Sequence, residues 1–232
     1  MLAIFDVDGT LIDSNHLHVL SWQRALRAHG QEVPAWVILA HMGMGGDRLV
    51  EAVAGGEVER GCGDDIRAAE GVLYQQLIHE TRPLPGARRL LEAVRDRGWG
   101  LVLASSAKAE EVDHYLDLLD ARGLVDAWTT AADVEQTKPA PDLVHAALDR
   151  AGDVDRALMI GDTTWDARAA GEAGIPCVGV TSGGIAAAEL REAGAVEVYQ
   201  SAEAMLDDLD GLLGLAGPTA SATTTGSQPA PR

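Results

Sequence analysis

Short apolar runs recur along this chain, and between the later ones lie stretches with helical periodicity. The runs are "LAIF" (2–5), "GLVLAS" (100–105), "AWTTA" (127–131), "ALMIG" (157–161), "PCVGVTS" (176–182) and "VEVY" (196–199). The intervening patterns include "GARRLLEAVRDRG" and "DLVHAALDRAG". A strand that is apolar at nearly every position has both faces buried. When such strands alternate with helices, the arrangement that covers both faces is a parallel sheet. The chain is therefore expected to be α/β, with a doubly wound, Rossmann-like parallel sheet. Sheets of that kind bind ligands at the carboxyl ends of their strands.

One interval breaks the alternation. Between Ser14 and Arg82 no strand pattern occurs, only helical segments such as "NHLHVLSWQRALRAHG", "GDRLVEAVAG" and "DDIRAAEGVLYQQLIHE". That is too long for a single crossover connection. The expected organisation is a core of residues 1–14 and 84–216 and an inserted all-helical cap of residues 15–83. The cap would sit over the carboxyl edge, and Pro83 and Pro85 would stiffen its return to the core. Residues 217–232, rich in Thr, Ser, Ala, Pro and Gly, have no apolar periodicity and are expected to form a disordered tail.

Charge narrows the partners. The formal charge is −18, which argues against nucleic acid and anionic membrane, since both are bound by Lys/Arg surfaces. Lys108 and Lys138 are the only lysines among 18 Lys and Arg residues. The two cysteines, Cys62 and Cys177, form no disulfide framework or CxxC motif. That usage, with aspartates where a signal peptide would be apolar, fits a cytoplasmic protein.

The ends of the expected strands carry the polar chemistry. The first delivers Asp6 and Asp8 in "DVDGT", the second Ser105 and Ser106 in "LASSAK", and a later loop Lys138 in "TKPAPD". "GDTTWDA" follows with Asp162 and Asp166. Taken singly, an Asp or Ser at a strand end is an ordinary helix cap or turn residue. Caps and turns do not account for this ordered set at successive strand ends. Asp6 and Asp8 also repel each other, so either a cation lies between them or they are solvated loop acids.

Together these motifs resemble those of the haloacid dehalogenase superfamily of hydrolases, which are mostly Mg²⁺-dependent phosphatases. "DVDGTLIDS", "LASS", "TKPAPD" and "GDTTWDA" are similar to its four motifs, and the resemblance spans all but the tail. The helical insertion is similar to the cap of the phosphoglycolate phosphatase and β-phosphoglucomutase branch. The resemblance implies that Asp6 is the nucleophile and Asp8 the general acid and base, its pKa raised by Asp6 and by burial. It implies Mg²⁺ ligation by Asp6, Asp162 and the Asp8 backbone carbonyl, with Asp166 holding a bound water or acting behind it. Ser105 and Lys138 would stabilise the transferring phosphoryl group. Gly9, Thr10, Ser106 and Arg48 would contact substrate, Thr10 also fixing the turn and Arg48 reading a second anion. His18 and Trp22 are expected to pack inside the cap.

The implied activity is hydrolysis of a small phosphorylated metabolite, either phosphoglycolate-like or a sugar phosphate, by a monomer or weak homodimer. Two alternatives are a β-phosphoglucomutase-like isomerase and a scaffold that binds a phosphorylated ligand without turnover. The segment Gly45-Gly46-Asp47-Arg48, which lacks the mutase Ser-Arg pair, favours the phosphatase.

Overall fold

A computed structural model describes residues 1–133 and 136–219. Strand β1 (Leu2–Phe5) runs into a turn and the short β2 (Ile12–Asp13). Four helices follow: α1 (Asn15–Ala28), α2 (Ala35–Leu39), α3 (Gly46–Ala54) and α4 (Gly56–Leu77). The chain returns through β3 (Arg82–Pro83) and then alternates. In order come α5 (Ala87–Asp96), β4 (Gly100–Ala104), α6 (Ala109–Leu118), β5 (Ala127–Thr129) and α7 (Asp142–Ala151). Next are β6 (Arg156–Gly161), α8 (Thr164–Glu172), β7 (Cys177–Val180), α9 (Ala187–Glu192) and β8 (Ala195–Tyr199). Two short helices, α10 (Ala202–Asp207) and α11 (Leu209–Gly214), precede β9 (Gly217–Pro218).

The main sheet has the order β5-β4-β1-β6-β7-β8, all parallel, with β9 antiparallel to the start of β6. Its central strand shows why apolar runs make such a sheet. In β1, Ala3 and Phe5 join the core on one face with Leu101, Leu103 and Ile160. Leu2 and Ile4 join the opposite core with Val102 and Met159. Burying each large side chain is worth about 1.5–3 kcal/mol, so both faces reward the same strand. From β1 the chain goes to β4 on one side and later to β6 on the other. The crevice this reversal opens at the carboxyl end of β1 is where such sheets bind ligands.

The four helices between β2 and β3 have a core of their own. Val19, Trp22, Ala25 and Leu26 recur on one side of α1 and pack with Leu49, Val50 and Ile66 from α3 and α4. Leu17 and Tyr74 instead join the sheet's core and tie the insertion to it. The return at Arg82–Pro83, expected as a stiff hinge, is paired. β2 and β3 form an antiparallel ribbon, Ile12 opposite Pro83 and Asp13 opposite Arg82. The ordered chain also runs further than expected. Gly217 and Pro218 pair with Ala157 and Arg156, and the Thr219 N–H donates to the Asp155 carbonyl at 3.0 Å. The remainder of the expected tail, 220–232, lies outside the described residues. No described helix is long and apolar enough to cross a membrane.

Candidate active site

Asp6 is the first residue after β1, and its N–H donates to the Ile160 carbonyl of β6 at 2.9 Å, which pins it at the crevice. The chain then doubles back: the N–H groups of Leu11 and Ile12 both donate to the Val7 carbonyl. Gly9 makes that turn at φ +74°. A Cβ at Gly9 would collide with Asn15 and with the Asp162 carboxylate, and one at Gly183 would occupy the space of the same carboxylate. Only glycine fits a left-handed turn packed this closely on a buried acid.

Three buried carboxylates meet around one ammonium. The Lys138 Nζ lies 2.5 Å from Asp6 Oδ1 and 2.6 Å from Asp166 Oδ1, and all three side chains are almost wholly buried. Asp166 Oδ2 accepts from the Thr163 N–H at 3.0 Å and from its hydroxyl at 2.6 Å, so the same residue closes the N-terminal turn of α8. Asp162 accepts from Asn15 Nδ2 at 2.9 Å and from the Thr10 hydroxyl at 3.0 Å. A cavity of about 380 Å³ opens in front of this group, lined by Asp6 and Asp8 and roofed by Trp22, Met42 and Gly46 of the insertion.

The electrostatics are those of an acid cluster with too little positive charge. Burial, with Asp166 and Asp8, outweighs Lys138 and pushes the Asp6 carboxyl up to about 7. Burial and the neighbouring Asp6 and Asp166 hold Asp162 well above the usual carboxylate range. Burial opposes the charge of Lys138, but Asp166 and Asp6 overcome it and keep the ammonium protonated. Asp6, Asp162 and Asp166 offer oxygen atoms that all lie within 4.8 Å of one another. Asp166 Oδ1 meets the Lys138 ammonium at 2.6 Å and has no other polar partner among the described residues. An all-oxygen donor set short of positive charge fits a hard divalent cation.

Several expected residues hold places other than those inferred. Asp8 is not raised. Burial pushes it up, but the His18 ring at 3.5 Å, the Ser14 hydroxyl at 2.5 Å and Tyr115 outweigh that and lower it. His18, expected to pack in the cap, bridges Asp8 to Glu70 through Nδ1 at 3.2 Å and stacks on Tyr74 with ring centroids 3.6 Å apart. Burial would discharge the imidazole, yet the two carboxylates raise its pKa to about 10. Trp22 does pack in the insertion's core.

The Thr10 hydroxyl donates to Asp162 at 3.0 Å and, back across the turn, to Asp6 at 3.4 Å. Ser106 lines the cavity, and Gly9, Thr10 and Ser105 are not among its lining residues. The buried Ser105 Oγ accepts from the Ala107 N–H at 3.1 Å. Arg48 is absent from the lining; its guanidinium donates to Gln136 Oε1 at 3.0 Å. Asn15, Tyr74 and Tyr115 were not anticipated. Asn15 reads in sequence as a helix start, and two tyrosines at helical spacing read as core. The Tyr74 and Tyr115 hydroxyls bond to each other beneath Asp8 and His18.

Comparison with known proteins agrees with this geometry. The family model for haloacid dehalogenase-like hydrolases matches residues 3–180. A validoxylamine A 7'-phosphate phosphatase from Streptomyces hygroscopicus subsp. limoneus is 30% identical over 188 residues, spanning 78% of this chain and 85% of that one. A phosphoglycolate phosphatase from Pseudomonas putida is 30% identical over 190 residues, spanning 78% of this chain and 70% of that one. Among solved structures, a hydrolase from Pseudomonas syringae superposes with a TM-score of 0.83 at 32% identity, covering 91% of this chain and 98% of its own. With that family model matching residues 3–180 and these relatives covering most of its length, the chain belongs to the haloacid dehalogenase-like hydrolases.

Proposed function

We propose that this protein is a Mg²⁺-dependent phosphatase that hydrolyses a small phosphomonoester through an aspartyl-phosphate on Asp6. The observation that carries this reading is the buried Asp6–Lys138–Asp166 group beside Asp162, opening onto a metabolite-sized cavity. Relatives named as phosphatases support the reaction class.

Asp6, Asp162 and Asp166, with the Asp8 carbonyl, would hold the cation. When bound, Mg²⁺ keeps Asp6 ionised and screens its repulsion from the phosphoryl oxygens. The Asp6 carboxylate attacks phosphorus as the P–O bond to the leaving group breaks. Lys138, fixed between Asp6 and Asp166, faces the negative charge that spreads over the phosphoryl oxygens. Ser105, whose Oγ already accepts from Ala107, is left its own proton to donate to such an oxygen.

Asp8 gives a proton to the departing alkoxide and later takes one from water as the acyl phosphate is cleaved. As held by Ser14 and His18 it is ionised, the form that suits the second step. A phosphate dianion arriving beside it raises its pKa toward the first. The products are the alcohol and inorganic phosphate, and Asp6 returns unchanged. The cap, large enough to enclose a metabolite, keeps bulk water from the cavity.

The test is release of phosphate from a panel of phosphorylated metabolites and from nitrophenyl phosphate. Release should require Mg²⁺, stop in excess chelator and be inhibited by Ca²⁺, whose looser coordination displaces the carboxylates. Undiminished release in chelator would refute the reading.

A further inference from the structure

The part of the cavity that holds the leaving group lies beyond Asp8, and its charges are unequally matched. His18 is tied to Asp8 and Glu70. Arg67 is held in a two-pronged pair with Glu59, both contacts at 2.9 Å, with a further contact to Asp64 at 2.7 Å. Neither is left to greet an incoming anion.

The acids are less fully matched. Glu70 gives Oε1 to His18, and its Oε2 makes no hydrogen bond or ion pair among the described residues. Glu111, 5% exposed, has no cationic partner within ion-pair distance there; it accepts only from the Gln75 amide and the Lys108 backbone N–H, each at 3.2 Å. Burial pushes its carboxyl up, and Asp8 and Glu70 add to that against His18. A buried carboxylate of this kind gains most from a cation placed beside it. Lys108 is the exception among the lining cations: it has no acidic partner within ion-pair distance among the described residues, and its Nζ reaches from the start of α6 to lie against Gly71 of α4.

We infer that the cavity takes the phosphate ester of an amino alcohol, whose ammonium and hydroxyl groups meet Glu70 and Glu111, rather than an ester bearing a second anion. The inference rests on the cavity being the phosphatase site proposed above. It turns the expectation for this region around, because Arg48 was the residue assigned to a second anion and it does not reach the cavity. The Trp22 ring and Met42 supply an apolar wall for the carbon skeleton, as in other small-molecule sites.

Three esters that differ only at the far end test this: O-phosphoethanolamine, 2-hydroxyethyl phosphate and 2-phosphoglycolate, with nitrophenyl phosphate as control. The expected kcat/KM order is ammonium, then hydroxyl, then carboxylate, with about tenfold or more between the extremes, a modest return for one matched against one opposed charge. In Glu111→Gln the ratio of extremes should shrink at least threefold, on the order of a lost charge-assisted contact. Should that variant fail to fold, the wild-type order decides alone. A preference for 2-phosphoglycolate that disappears in Lys108→Met would overturn the inference in favour of the rim lysine. Turnover of nitrophenyl phosphate with no discrimination among the three also overturns it, while leaving the phosphatase intact. Failure with all four compounds refutes the phosphatase reading itself.

Discussion

Replacing Lys138 by methionine keeps the length of the side chain and removes its charge. In the native protein that charge sits 2.5 Å from Asp6 and 2.6 Å from Asp166; Lys138 and Asp166 are enclosed, and Asp6 keeps only an edge at the cavity. Removing one partner of a buried ion pair costs about 3–5 kcal/mol, because the other charge stays buried and unpaired. Here two carboxylates lose their partner while a third, Asp162, lies beside them. In a chain of this size 1 kcal/mol moves the midpoint by roughly 2–4 °C. Thermal and urea unfolding in chelator should therefore show a Tm lower by roughly 6–20 °C.

The loss should depend on pH. The folded pKa of Asp6, about 7, lies above its ordinary 3.8. Between those values the native state binds more protons than the unfolded one, so this group's contribution to stability falls as pH rises. Taking Lys138 away extends the window upward, and the variant should be hurt less at pH 5 than at pH 8. Magnesium gives the sharper check. Its binding adds about 2.7 kcal/mol at a hundredfold excess over Kd, and with no ammonium competing for the same oxygens the variant should gain more from it than the wild type. A variant within about 1 kcal/mol of wild type in chelator, well below the usual cost of breaking such a pair, would refute this account. So would equal stabilisation of the two proteins by Mg²⁺.

Asp6→Asn should abolish turnover and any acid-stable phosphoenzyme, whereas Asp8→Asn should lower turnover by roughly 10²–10⁴-fold and let a good leaving group phosphorylate Asp6 before stalling. Rapid-quench labelling with a nitrophenyl ester separates the two. His18→Gln should destabilise most below pH 6.5, where the charged ring's contribution is fully present. The deficit should close as pH rises through about 10, the native pKa of His18, because only the native state keeps that proton between these values. Unfolding free energies from pH 6 to 10.5 give the curve, and a deficit independent of pH would count against the Asp8–His18–Glu70 bridge. Gly9→Ala must strain a φ of +74° and push into Asn15 and Asp162, so a loss of at least about 1 kcal/mol with sharply reduced activity is expected.

How far the sequence reaches depends on the range of the interaction. Strands and their burial were legible because every residue of "LAIF" is apolar, and the strand ends followed from that placement. Asp6, Asp162 and Asp166 were legible because they lie at or just past an apolar run, and Lys138, in a polar loop, joined them through the family resemblance. The state of Asp8 was not. It is fixed by His18, Ser14 and Tyr115, and the last of these comes from a helix on the far side of the insertion. Asn15 was hidden for the same reason, since its partner Asp162 is 147 residues away. Arg48 shows the converse case. A cation beside a Gly-rich bend was assigned by neighbourhood, while its side chain pairs with Gln136 outside the cavity.

The ribbon of β2 and β3 has a consequence for how such a chain can be rebuilt. The insertion leaves and rejoins the core through two strands lying side by side, with Asp13 directly opposite Arg82. Paired residues in an antiparallel ladder have Cα atoms about 5 Å apart, a gap that a short turn can close. The Leu84 N–H also donates to the Leu11 carbonyl at 2.8 Å, so the two stubs stay aligned on the core side of the cut. The helical unit is thus a cassette with adjacent ends, and a different one can be spliced onto the same pair of strands. The catalytic candidates stay on the core side of this seam, while part of the cavity wall, Trp22, Met42, Arg67 and Glu70, travels with the helical unit.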